Sequence, residues 1–152
     1  MDADARYELR KQLNAQRTED YKNGTYELAG GVVDPLPDDA PQFVKDYYAY
    51  YKTGRGYHKR SLNSNNGWNV TSNLPFLNFK FFDYADELES AVMIVHGDKA
   101  HSFYFGKDTY ALLKGDNKEF VVVAGANHTD LYDGLSVIPF NKIESFFNEN
   151  LK

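Results

Sequence analysis

Residues 91–133 read AVMIVHGD at 91–98, AHSFYFGKDTYALLKG at 100–115 and NKEFVVVAGANHTDLYD at 117–133. Residues 91–95 and 120–123 are unbroken apolar runs. Strands covered on both faces, as parallel strands are, carry this pattern rather than an alternating one. The link between them is too long for a hairpin and contains a helical pattern. Phe105, Tyr110, Leu112 and Leu113 leave charges on the other side, and Gly115 stops the run. The economical reading is strand, right-handed helical crossover, parallel strand. It puts Asp98 and His128 just past the carboxyl ends of the two strands, where ligands bind in parallel α/β sheets.

Working outward, residues 3–20 predict a charged helix with a thin stripe at Leu9 and Leu13, lying on a surface or against material outside the chain. A short segment at Tyr26–Leu28, between Asn23-Gly24 and Gly30-Gly31, suggests a small hairpin. Two prolines stiffen the loop at 34–39. A helix follows near 41–52, with Asp39 as its cap, Pro41 in its first turn and Phe43, Tyr47 and Tyr51 on one face. That face is ordinary packing or one wall of an apolar pocket. Residues 53–73 read as a long loop rich in glycine and asparagine, of a length that is usually functional or disordered. Trp68, Leu74, Phe76, Leu77, Phe79, Phe81 and Phe82 form an aromatic cluster, read as a lid or a loop anchor. An acidic turn at 83–89 leads into the first strand. Pro139 opens a last helix whose Phe140, Ile143, Phe147 and Leu151 are expected to cover the sheet.

The whole is one domain's worth of chain at 152 residues. A net charge of −5 argues against a nucleic-acid partner, which calls for a basic face. No run approaches the length of a membrane span and no signal peptide opens the sequence, so a cytoplasmic protein without membrane contact is expected. The lack of cysteine removes disulfides, thiolate zinc sites and cysteine nucleophiles. Twelve Tyr and eleven Phe point to semi-exposed pockets or interfaces as well as a core.

His128, in a polar loop after a strand, suits general-base work. Asp98 could orient its imidazole, as the acid of a triad does, or cap a turn. His96, Asp98, His101 and His128 match no strong metal-ligand spacing, so neither metal nor cofactor is expected. No G-x-S-x-G occurs. Ser136, in Gly134-Leu135-Ser136, has no preceding strand and follows the acid and histidine, contrary to the order that a nucleophile elbow requires.

Three segments resemble the C-terminal half of bacterial α/β-hydrolases of the dienelactone-hydrolase-like kind: HGD-x-AHS-x-x-F at 96–105, GANHTDLYD at 125–133 and IPF-x-KI-x-x-FF-x-ENL at 138–151. FVKDYYAYYKTGRG and TSNLPFLNF are similar to the segment that such enzymes insert before their penultimate strand. The resemblance implies an α/β fold in two parts: a helical, aromatic, lid-like insertion at 1–90, then the last two parallel strands and helices of an α/β-hydrolase core at 91–152. It also implies a serine hydrolase of carboxylic or thiol esters with His128 as triad base. The usual acid position, four residues after the HG histidine, is Ala100 here. Asp98 is therefore the candidate acid, with Asp83 and Asp86 as weaker substitutes. The nucleophile elbow and oxyanion donors are missing, so a fragment inactive by itself is expected, joined to the N-terminal half or to itself through an open sheet edge. The alternative is a non-catalytic small-molecule-binding or interaction module.

Overall fold

The structure, a computed structural model, describes residues 1–151. In chain order the elements are α1 (Ala3–Asn23), α2 (Gln42–Tyr51), α3 (Asn73–Asn78), β1 (Val92–Gly97), α4 (Phe103–Leu112), β2 (Lys118–Val123), α5 (Asp130–Asp133) and α6 (Phe140–Asn150). They form two compact units, one of residues 1–40 and 47–80, the other of residues 41–46 and from Phe81 onward. Pro41–Asp46 thus groups with the unit that holds the two strands.

In the first unit, Asp2 caps α1 by accepting from Ala5 N–H, and Gly24 ends it at φ 63°. Leu13 is buried, and α1 packs on α3 and on the 3₁₀ turn Val70–Ser72. The thin stripe therefore finds its partner inside the chain. The segment read as a hairpin makes two isolated bridges instead, Leu28 to Asn69 and Gly30 to Gly67. Gly67 sits so close to Gly30 that a Cβ there would lie 1.7 Å from its carbonyl oxygen. The long loop is tied down: Asn65 Nδ2 donates to the carbonyls of His58, Lys59 and Ser61. Its neighbouring aromatics do not form a core, since Phe76 and Phe79 are exposed while Leu74 is buried.

In the second unit the expected pair of parallel strands joined through a helix is present. β1 and β2 run parallel in a two-stranded sheet, Ile94 beside Phe120 and His96 beside Val122, with α4 between them in sequence. Stacking carries the α4 face: Phe103 and Tyr110 lie 5.9 and 5.6 Å from the Phe120 ring, and His96 meets Phe103 edge-on at 5.6 Å. Gly106 is buried at the centre of this contact, where a Cβ would come within 2.9 Å of His96. The packed stripe is thus Phe103, Gly106 and Tyr110. Of the residues that the sequence reading gave that role, Tyr110 makes the contact through its ring although its rim is open to solvent, whereas Phe105 and Leu112 are more exposed. A stripe drawn through apolar residues alone skips the glycine that lets the helix approach.

α6 makes a similar correction. Its buried side chain is Phe146, while Phe140, Phe147 and Leu151 are exposed. At the entrance to β1, Lys118 is buried and its Nζ donates to the carbonyls of Leu88 (2.7 Å) and Ser90, so a cation anchors the 88–90 segment to the second strand. The strands themselves are less covered than their composition suggests: β1 is half-buried over most of its length, and Val122 of β2 is 47% exposed.

Candidate functional site

The loops that leave β1 and β2 meet at one end of the sheet. Lys99 N–H donates to Ala126 O at 3.0 Å and Asp98 N–H to Val123 O at 3.2 Å. Gly97 makes the approach possible, because a Cβ there would stand 2.2 Å from the Ala126 carbonyl oxygen. Gly125, at φ 79°, turns the second loop out of its strand.

The residues around His128 are held by local chemistry that the sequence spells out. Asn127 Oδ1 accepts from Thr129 N–H, Thr129 Oγ1–H and Asp130 N–H. Asp130 Oδ2 accepts in return from Asn127 N–H at 2.9 Å. This reciprocal pattern has the form of a capping box, and it closes the turn that leads into α5. Thr129 is fully buried beneath it. His128 is therefore fixed between two residues whose side chains are both engaged.

The His128 ring is half-buried. Its Nδ1 is 3.1 Å from Ser102 Oγ. Tyr132 meets it edge-on at 5.4 Å, and His101 lies 6.0 Å away, itself stacked on Phe43 at 4.7 Å. Burial pushes the His128 pKa down from 6.5, and the neighbouring His101 and His96 add to this by repelling a second cation. At neutral pH the imidazole is uncharged, the form that accepts a proton.

Asp98 and His128 share the sheet end, but the carboxylate is directed elsewhere. Asp98 Oδ1 accepts from Gly125 N–H at 2.7 Å, pinning the loop rather than the imidazole. Asp86 pairs with Lys114 at 2.9 Å on the surface, which holds its carboxyl below the usual range. The side chain on Nδ1 is Ser102, which immediately precedes α4. Sequence reading quoted it within AHS and assigned it nothing, since a serine before a helix reads first as a cap. His96 Nδ1 is placed against Gly97 O at 3.1 Å. Among the described residues no three His, Asp or Glu side chains converge as a metal-binding group.

No family model matches the chain. It is 41% identical over 149 residues to the uncharacterized protein PA2218 of Pseudomonas aeruginosa, a match covering 93% of this chain and 38% of that one. It is 30% identical over 146 residues to the uncharacterized protein YcjY of Escherichia coli, covering 89% and 44%. A crystal structure of the hypothetical protein PA2218 superposes with a TM-score of 0.89 at 38% identity, covering 99% of this chain and 47% of the other. The chain thus spans less than half the length of the relatives it matches. These findings correct the resemblance to dienelactone-hydrolase-like α/β-hydrolases. The proteins that match along nearly the whole chain are uncharacterized, and neither is named as a hydrolase. The observed fold is a mixed α/β one with a two-stranded parallel sheet flanked by helices. No helix among the described residues is long and apolar enough to cross a membrane.

Proposed function

We propose that this chain carries the proton-transfer part of a site that cleaves carboxylic or thiol esters, with His128 as general base. One observation carries the reading: an imidazole kept neutral by its surroundings stands just past a parallel strand, its Nδ1 occupied by a hydroxyl. A base working through Nε2 takes the proton of an attacking hydroxyl as that oxygen bonds to the acyl carbon. The alcohol or thiol then leaves, and the imidazolium gives the proton up. The chain has no nucleophile elbow to supply that hydroxyl. Loss of the nucleophile from a serine hydrolase costs on the order of a million-fold in turnover, so p-nitrophenyl acetate with the chain alone is expected to hydrolyse only as fast as a positioned base lets water attack, about a hundredfold over buffer.

A small alcohol added as surrogate nucleophile tests the base directly. Formation of its acetate ester, followed by chromatography, is expected to rise about a hundredfold over buffer, the lower end of what a positioned base contributes. The rise should vanish in His128→Ala. Equal rates for the two proteins would end the reading.

A second reading, a small-molecule-binding module without catalysis, is favoured by an apolar recess of about 370 Å³ beside β1, lined by Phe81, Tyr84, Leu88, Ile94 and Leu113 among others. An apolar probe that binds there equally in wild type and His128→Ala, with no acyl transfer in either, selects it.

A further inference from the structure

A neutral imidazole has one N–H and one lone pair, and the partner on one nitrogen decides which role the other can play. A base that works through Nε2 must carry its proton on Nδ1. In a serine triad a carboxylate accepts that Nδ1–H, selects the tautomer and also stabilises the imidazolium. Here Asp98, the carboxylate that the sequence offered for this role, accepts from Gly125 N–H through its Oδ1. The atom facing Nδ1, at 3.1 Å, is Ser102 Oγ.

Ser102 is well placed for a fixed task. Its carbonyl accepts from Phe105 N–H at 2.9 Å, and Phe103 N–H donates to Ala100 O at 3.0 Å, so the turn that carries the hydroxyl is pinned on both sides. Phe103 beneath it is locked between His96 and Phe120. His128 is pinned independently through Asn127 and Asp130. The two groups meet as parts of separate, preorganised loops.

We propose that Ser102 is a positioning residue that accepts a hydrogen bond from Nδ1–H of His128 and so fixes the tautomer that presents Nε2 as the base. This rests on the reading of His128 as a general base. A hydroxyl in this place sets the tautomer without adding negative charge, so it does not offset the desolvation of the ring or its two histidine neighbours. The consequence is a base that remains neutral to lower pH than one backed by a carboxylate.

Nitrogen-15 NMR of histidine-labelled protein reads this without any activity. In wild type at pH 7.5, His128 is expected to show a protonated Nδ1 and an unprotonated Nε2. Ser102→Ala should release the ring to a mixture of tautomers, and Ser102→Thr should restore the wild-type pattern. Ser102→Asp should raise the His128 pKa, a second readout that survives if Ser102→Ala folds poorly. In the surrogate-alcohol assay, Ser102→Ala should lose about tenfold in rate while Ser102→Thr retains it.

If the tautomer follows Ser102 but no variant transfers an acyl group, the positioning role stands and the ester reading falls. A wild-type His128 protonated on Nε2, or a tautomer indifferent to Ser102→Ala, overturns the inference. An acetyl adduct found on Ser102 by mass spectrometry also overturns it, since the hydroxyl would then be a nucleophile.

Discussion

His128 sits where a positive charge is unwelcome from three directions: partial removal from water, His101 and His96. Each lowers its pKa, so the pH consequence has a definite sign. The unfolded chain, with an ordinary histidine near 6.5, takes up its proton before the native one does. Stability therefore falls as pH is lowered from about 6.5 towards the depressed native value, and this group adds no further loss below it. His128→Gln should remove that component, making the stability of the variant less pH-dependent than wild type as pH falls below about 6.5. Urea denaturation at a series of pH values checks this, and diethylpyrocarbonate should modify His128 with a midpoint below that of free histidine. A midpoint at or above 6.5 would contradict the electrostatics of the site. At this scale the sequence showed the histidine and concealed its partner. His128 was legible because few polar residues follow that strand and only one of them titrates near neutrality. Ser102 was not, because a hydroxyl before a helix has several ordinary uses. For Asp98 two readings stood open, orienting the histidine or capping a turn; its Oδ1 accepts from a backbone N–H in the facing turn, which is the second of these.

At the scale of elements, the strand–helix–strand unit was readable because its apolar runs are unbroken and its connection too long for a hairpin. The phase of the flanking helices was not readable. α4 contacts the sheet through Gly106, and hydropathy gives a glycine no weight. α6 buries Phe146 although Phe140 and Phe147 are equally apolar. The same closeness makes Gly97 the hinge on which the site depends. Its φ is not in the left-handed region, so the constraint is space alone. In Gly97→Ala the new methyl group, 2.2 Å from Ala126 O, forces the loops apart. The expected cost is about 1–3 kcal/mol, the usual range for overpacking a tight contact. The Lys99 N–H to Ala126 O bond and the Ser102–His128 contact should loosen with it. Chemical denaturation gives the first quantity and the His128 ring resonances report the second. An unchanged midpoint together with unchanged resonances would mean that the loops are not held by this approach.

At the scale of the whole molecule, the sheet has the composition of a buried one and the exposure of a surface one. β1 and β2 carry runs of Val, Ile, Met and Phe, yet β1 is mostly half-buried and Val122 is 47% exposed. Two parallel strands have two outer edges with unpaired backbone groups, and a sheet of this size is marginal in isolation. PA2218 contains this fold within a chain of which it makes up 47%, so the same two strands occur there in a larger polypeptide. These observations support the proposal that the strands are completed by association, with another polypeptide or with a second copy. Light scattering of the purified chain over a range of concentrations is expected to show dimers or larger species. Val122→Lys should shift them towards monomer, because a charge on an exposed strand opposes edge pairing. The substituted site is already half open to solvent, so the fold itself should tolerate the change to within about 0.5 kcal/mol. A wild-type chain that remains monomeric at the highest concentration reached would show that its own helices are sufficient cover, and would leave the site at His128 to find its nucleophile by some other route.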